Sequence, residues 1–367
     1  MKLLSIIFIV SFLYYLRYLY ILWKGLLSFN QKTNPERPFV SIVVAARNEE
    51  ETLPELLSLL INQDYDKAKY EIIIANDQST DQTDEVVHRF QEYCDNLILV
   101  NVADPGEGVS RKKNALSQAI EQSRGEIILT TDADCEVQAS WIENMVKYFT
   151  DNVGLVAGLS IPKKEARSNI VQKFEYFDML VLFTAAAGSI SSGRSFSCSG
   201  QNLAFTREAY DNVGGYGKVK NYESGDDVLL MQLISNAGYK TRFAFDKGAY
   251  NSTVSENSLL KFFNQRIRWA TNERPQSLLN KEFYYYLVDV FLLNLVMIVT
   301  LFVEPGLLLG FFLIKFIFEF IVVNRGRKTF GLPLSVMKFF PVWSILHPFY
   351  VMITAIGEKM DLFRWKD

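Results

Sequence analysis

Two carboxylates, Asp132 and Asp134, follow directly on the apolar run Ile127-Ile128-Leu129-Thr130. On an extended segment, side chains at i and i+2 point to the same side. Carboxylates so placed repel unless a divalent cation or a donor-rich ligand sits between them. Mg²⁺ or Mn²⁺ shared with diphosphate oxygens is the natural occupant, and a solvated turn is the alternative. A second acid pair, Asp226-Asp227, stands between Gly225 and an apolar helical run that extends to Ile234. A helix cap needs only one of these carboxylates. The other is free to act as a general base toward a hydroxyl, and its charged neighbour raises its proton affinity.

Three more clusters accompany them. Asp77, in Asn76-Asp77-Gln78-Ser79, sits at the end of a β-rich run. It either caps the next helix or accepts hydrogen bonds from a ligand. Arg111-Lys112-Lys113-Asn114 opens a helical pattern, where basic side chains and a helix N-terminus meet a diphosphate or merely solvent. Gln265-Arg266-Ile267-Arg268-Trp269 lies on an expected helix over residues 257–276, where Gln265, Arg268 and Trp269 share a face. The mixture of Leu, Phe, Lys and Arg along it has the character of an interfacial helix beside a membrane.

The elements that must position these groups follow from the pattern. Strand-like runs at 39–45, 70–75, 97–100 and 126–130 alternate with helical periodicity at 50–62, 81–93, 112–123 and 141–149. Such alternation predicts an α/β, mostly parallel sheet with helices on both faces, and a ligand at the C-terminal strand ends. The polar clusters stand at those ends. Both termini are apolar. Residues 3–23 are long enough to span roughly 30 Å of hydrocarbon, and the reading is an anchor, because no small-x-small cleavage site follows. Residues 284–303, 307–323 and 341–356 are three further candidate spans. Lys24, Lys32 and Arg37, and later Arg325, Arg327 and Lys328, place the polar middle on the cytosolic side. A strict count of spans then puts Arg364 and Lys366 outside, against the same rule, so the last segment is re-entrant or interfacial or one span is misassigned.

Bulk properties exclude other classes. The net charge of −3 over 367 residues gives no basic footprint for nucleic acid. Three scattered cysteines make neither a disulfide framework nor a zinc spacing. With only two histidines, a His-ligated metal is nearly excluded.

The ordered series Asp77, Asp132-x-Asp134, Gly225-Asp226-Asp227 and Gln265-x-x-Arg268-Trp269 resembles the family-two inverting glycosyltransferases of GT-A (Rossmann-like) fold. The likeness is greatest to the membrane-bound branch with a Q-x-x-R-W signature, which includes ceramide glucosyltransferase and the cellulose and hyaluronan synthases. The resemblance implies that Ala45, Arg47, Glu49 and Asp77 line the nucleotide pocket. It implies that Lys112, in a K-x-x-A-L pattern, approaches the diphosphate. Asp132 faces the ribose or the metal, and Asp134 ligates the metal. Gly200, Gln201 and Asn202 lie on the acceptor side, Asp227 is the general base with Asp226 beside it, and Gln265, Arg268 and Trp269 sit near the leaving diphosphate. Asn76 and Asp226 depart from the family's usual Asp and Glu.

The implied organisation is a membrane anchor at 1–30, a glycosyltransferase domain at 36–255, the interfacial helix at 256–280 and membrane helices at 281–367. The implied function is metal-assisted, inverting transfer from a nucleotide-diphosphate sugar, UDP favoured, to a lipid acceptor. It occurs at the cytosolic face of a membrane, expected to be a bacterial inner membrane. A processive polysaccharide synthase is the alternative product class. A catalytically silent membrane scaffold is the alternative of another kind.

Overall fold

The computed structural model describes residues 2–28, 32–163, 168–271 and 273–360. The chain starts with α1 (Lys2–Gly25), followed by β1 (Val40–Ala46), α2 (Leu53–Ile61), β2 (Tyr70–Asn76) and α3 (Thr83–Gln91). Next come β3 (Leu97–Asn101), α4 (Arg111–Gln122), β4 (Ile127–Thr130), β5 (Cys135–Glu136), α5 (Trp141–Val146), β6 (Val153–Ala157) and β7 (Ser160–Pro162). The next stretch holds α6 (Ile170–Ser191), β8 (Leu203–Thr206), α7 (Arg207–Val213), α8 (Val228–Asn236), β9 (Lys240–Phe243) and β10 (Asn251–Thr253). Helices α9 (Leu259–Ala270), α10 (Glu273–Leu279), α11 (Lys281–Val303), α12 (Pro305–Thr329) and α13 (Phe340–Lys359) complete the described chain.

These elements divide into two units. One comprises residues 30–163 and 197–254; the other comprises 1–29, 164–196 and 255–367. Helix α6, which lies inside the sequence-expected span 36–255, therefore groups with the terminal helices.

The first unit is built on a seven-stranded sheet in the order β3-β2-β1-β4-β8-β6-β9. All neighbouring pairs are parallel except those made by β8, which runs against both β4 and β6. Strand order reverses at β1, between β2 and β4, which is where open α/β sheets place their ligand crevice. β1 and β2 are buried on nearly every residue, as strands covered by helices on both faces must be. The core beneath them includes Ile42, Val44, Leu56, Leu60, Ile72, Ile74 and Trp141; each such side chain contributes about 2 kcal/mol by leaving water. A small second sheet, β5-β10-β7, takes up the segment directly after Asp134 as β5 and pairs it with β10.

The second unit is helical. Along α1, Phe8, Phe12, Tyr15, Leu19 and Leu22 are buried, while Ile6, Ile9, Val10 and Leu13 are exposed on the other side. The exposed side of α1 is apolar toward its N-terminal half and carries Arg17 and Lys24 further on. Gly188 of α6 lets the helices approach closely: a Cβ there would meet the Leu22 carbonyl oxygen at 2.6 Å. Two charges in the middle of α12 are closed off internally. Lys315 pairs with Glu319 at 2.7 Å, and Glu319 also accepts from Tyr15 at 2.6 Å and from Ser344 at 3.2 Å.

Four long helices thus occupy the four expected apolar segments. Two stretches among the described residues, Lys281–Val303 and Leu334–Lys359, are long and apolar enough by composition to cross a membrane. The basic tail with Arg364 and Lys366 lies outside the described residues. The single helix expected over 257–276 is instead two, α9 and α10.

Candidate active site

Each site segment is delivered by an element end. β1 ends at Ala46 and releases Arg47, Asn48 and Glu49 into a loop where Asn48 has φ 55°. That loop is knitted to the one after β2: Thr80 donates to the Asn48 side chain at 2.8 Å, and the Glu49 N–H donates to Thr83 Oγ1 at 2.9 Å. Ala45 is half-buried at the end of β1, Glu49 half-buried and Arg47 exposed. Asp77 follows β2, is nearly buried, and holds Arg111 in a two-pronged pair at 3.1 Å through Nε and Nη2. Arg111 was legible only as part of a basic turn; its pairing across 34 positions was not.

The Asp132-Ala133-Asp134 segment is a turn, not the extended stretch expected, with the Cys135 N–H donating to the Asp132 carbonyl at 3.1 Å. Burial still alternates. Ala133 and Cys135 are buried, while Asp132 and Asp134 are partly exposed.

Lys112, on the first turn of α4, joins the clusters. Its ammonium lies 2.7 Å from Asp132 and 3.2 Å from Asp226. Burial alone lowers the proton affinity of Lys112, but Asp132 and Asp226 outweigh this and raise it, so it stays charged. Asp226 experiences the same balance in reverse. Burial raises its pKa, the ammoniums of Lys112 and Lys113 lower it further, and the net direction is down. Asp227 goes the other way. Burial and the adjacent Asp226 charge push it up to about 6. Two neighbouring carboxylates driven apart in this manner is the arrangement that separates a permanent anion from a proton acceptor working near neutral pH.

Asp227 is also the N-cap of α8. One oxygen accepts the Val228 N–H at 2.6 Å and the other the Gly200 N–H at 2.8 Å. The capping residue and the expected base are therefore one residue, and Asp226 is the one left to the lysine. Gly200 is packed tightly here: a Cβ would stand 2.9 Å from Asp226 Oδ2 and 3.6 Å from Lys112 Nζ. Thr131 at the end of β4 donates to the Gln201 carbonyl at 2.9 Å, tying the 200–202 turn to the acidic turn. The Gln201 side chain bonds Thr253 at 3.2 Å. Asn202 is wholly buried: its carbonyl accepts from Trp141 at 3.0 Å, and its amide donates to Leu159 and Ala249. It presents no exposed edge.

Ala45, Arg47, Glu49, Asp77, Lys112, Asp132, Asp134, Gly200, Gln201, Asn202, Asp226 and Asp227 all belong to the sheet unit; Gln265, Arg268 and Trp269 belong to the helical one. In that unit the dominant residue of α9 is one the motif does not name. Arg266 is buried, pairs with Asp178 of α6 at 2.9 Å, and lies 4.6 Å and 4.2 Å over the rings of Phe262 and Trp269. Trp343 of α13 donates to the same Asp178 at 2.9 Å. The Gln265 carbonyl accepts from Arg266. The spacing Phe262, Arg266, Trp269 is the signal that could have found it, since i, i+4, i+7 share a helix face.

Comparison with known proteins decides the family. The glycosyl transferase family 21 model matches residues 3–356. The chain belongs to that family. The resemblance to family-two glycosyltransferases is thereby supported, although the matching model carries another number. The chain is 30% identical over 235 residues to a beta-monoglucosyldiacylglycerol synthase of Nostoc sp., covering 64% of this chain and 48% of that protein. It is 28% identical over 232 residues to poly-beta-1,6-N-acetyl-D-glucosamine synthase of Staphylococcus aureus, covering 63% and 53%. The chain thus spans about half the length of these curated relatives. Among solved structures, mannosyltransferase PcManGT of Pyrobaculum calidifontis, in complex with GDP-Man and Mn²⁺, superposes with a TM-score of 0.64 over 98% of this chain and 99% of that one at 19% identity. That likeness shows the α/β glycosyltransferase fold with its mostly parallel sheet.

Proposed function

We propose that this family member transfers a sugar from a nucleotide diphosphate, UDP favoured, to a lipid acceptor at the cytosolic face of a membrane. The observation that carries the reading is the group around Lys112. One ammonium joins Asp132 at the end of β4 to Asp226, and Asp227 beside it has a pKa near 6. In this reading Asp227 takes the proton of the acceptor hydroxyl, which attacks the anomeric carbon in one in-line step and inverts it. Lys112 turns toward the diphosphate as negative charge develops there. Ala45, Arg47, Glu49 and Asp77 line the base and ribose pocket, and Gly200 and Gln201 border the acceptor.

Asp132 and Asp134 fit a hard divalent cation. Both are partly exposed, and among the described residues no group of three or more His, Cys, Asp or Glu closes a cage. A cation that completes its shell with phosphate and water needs only one or two carboxylates. When bound, Mn²⁺ or Mg²⁺ supplies positive charge to the departing diphosphate.

A lipid acceptor is favoured by the bare apolar faces of the helical unit and by the glycolipid-synthase relative. The polysaccharide-synthase relative supports the second reading, a polymerase. The test uses membranes containing the full chain, a panel of radiolabelled nucleotide sugars, Mn²⁺, and an Asp227→Asn control. Counts in organic solvent that vanish in the variant support a glycolipid product. Counts in precipitable polymer select the second reading. Folded protein that transfers from no donor overturns both and leaves a silent scaffold.

A further inference from the structure

Lys113 sits beside Lys112 in sequence and meets the opposite fate. Only 1% of it is exposed, and a lysine buried so completely is rare without a dedicated partner. Its partners are backbone carbonyls. The ammonium donates to Ser224 at 2.7 Å and to Tyr222. The neighbouring N-cap of α4 adds two more bonds to the same stretch. The Ser110 N–H donates to the Lys220 carbonyl at 2.8 Å, and Ser110 Oγ donates to Glu223 at 3.2 Å.

Four carbonyls between 220 and 224 are thus collected by one helix turn. They need collecting, because residues 220–225 form neither helix nor strand and offer no ladder of their own. The stretch ends at Gly225, whose φ of 80° suits glycine, and the next two residues are Asp226 and Asp227. The backbone leading into the acid pair is therefore fixed from behind by Lys113, while Lys112 meets the pair from the front. Truncating Lys113 removes the donor that the Tyr222 and Ser224 carbonyls share, and losing one partner of a buried hydrogen bond is the costly way to break it.

We infer that Lys113 is a positioning residue for the transfer reaction: its buried ammonium clamps residues 220–225 and thereby sets where Asp226 and Asp227 stand. This rests on the reading of Asp227 as base. The residue does not touch the reacting atoms; it acts through the loop.

The test compares wild type with Lys113→Ala and Lys113→Gln, each as full chain in lipid nanodiscs. Hydrogen exchange is followed by mass spectrometry, beside steady-state kinetics. The expected result for Lys113→Ala is faster exchange confined to peptides over 220–228. A kcat lowered about 100-fold, as expected for a displacement on the scale of an ångström, accompanies an unchanged donor KM. Propylammonium, which replaces the deleted atoms, restores kcat, and tetramethylammonium, which has no donor, does not. Lys113→Gln keeps an N–H donor and gives an intermediate kcat; it decides the matter if Lys113→Ala does not fold. Exchange over 220–228 equal to wild type, or full kcat in the folded variants, overturns the inference. So does a loss of kcat that propylammonium and tetramethylammonium restore equally. Wild type that transfers from no donor sinks the transferase reading alone, since the exchange measurement still decides the clamp.

Discussion

In the sheet unit the ion pair at the end of β4 stays half-open. Lys112 is 37% exposed and Asp132 30%, and each has a partner that a ligand can replace. In the helical unit two ion pairs are sealed. Lys315 and Glu319 are 0% and 3% exposed, Arg266 and Asp178 2% and 1%, and their partners are other side chains of the same unit. Both arrangements put cations against carboxylates, yet they serve different ends. A half-open pair is inexpensive to rearrange, because water and incoming phosphate substitute for the lost partner. A sealed pair is expensive to break, because removing one member leaves an uncompensated buried charge. The pair at Lys112 is thus organised for exchange, and the pairs at Glu319 and Asp178 for permanence.

The sharpest way to break this contrast is at Asp227. Asp227→Asn should lower kcat about 1,000-fold, the range of a lost general base. Its thermal unfolding should shift little, since an amide oxygen still accepts one of the two N–H groups. The inverse is expected at Asp178. Asp178→Asn strands Arg266 and removes the charge facing it, with an expected loss of about 3–5 kcal/mol of stability. Thermal unfolding in detergent measures it. If Asp178→Asn unfolds like wild type, or Asp227→Asn loses stability instead of turnover, the contrast fails.

A third prediction concerns pH. The carboxylate of Asp227 faces Asp226, Lys112 and the N–H groups of Gly200 and Val228, with Cys198 and Tyr216 close enough to register its charge. Asp227 must be deprotonated to act, so kcat/KM should fall tenfold per pH unit below about 6. Its stability contribution has the opposite sense. A carboxylate raised from an unfolded value of about 3.9 favours the folded state most when protonated, and this stabilisation is lost as pH rises toward 6. Asp226, held low, stabilises above its unfolded pKa and loses that as pH falls. A Lys112→Met variant removes the nearby cation and should move the acid limb of the rate profile upward. An unmoved limb would show that another group is being titrated.

The smallest effect is expected at Gly200. Gly200→Ala places a Cβ 2.9 Å from Asp226 Oδ2 and should displace the pair by a few tenths of an ångström. Turnover should fall about tenfold, less than for a full ångström of misplacement. A wild-type rate would mean the 200–202 turn moves freely, and the sheet unit would be looser still than described.

What could be foreseen was what is local. The apolar runs of β1, β2, β3 and β4, and the carboxylates at their ends, were legible because strand propensity and turn chemistry act over a few residues. The reversed strand β8 was not, since nothing in Leu203-Ala204-Phe205-Thr206 says that it runs against its neighbours. Nor was the grouping of α6 with the terminal helices, which depends on Gly188 and Thr184 meeting α1 and α12 far away in sequence. Within the site, Lys112 and Lys113 are the same letter twice. One ends at the opening and the other in the core, because consecutive positions on a helix point about 100° apart. Only the fold tells them apart. The pairs Arg111 with Asp77 and Arg266 with Asp178 are likewise products of assembly, not of spacing.

Under the proposed transfer reaction, the double grip on Lys112 bears on the end of each turnover. Asp132 and Asp226 stand ready to reclaim the ammonium at 2.7 and 3.2 Å. A spent nucleoside diphosphate therefore holds that lysine only against two competitors anchored to the sheet and to the loop before α8. In that reading the residence time of the spent nucleotide, and with it product inhibition, would be tuned by the two carboxylates that compete for Lys112.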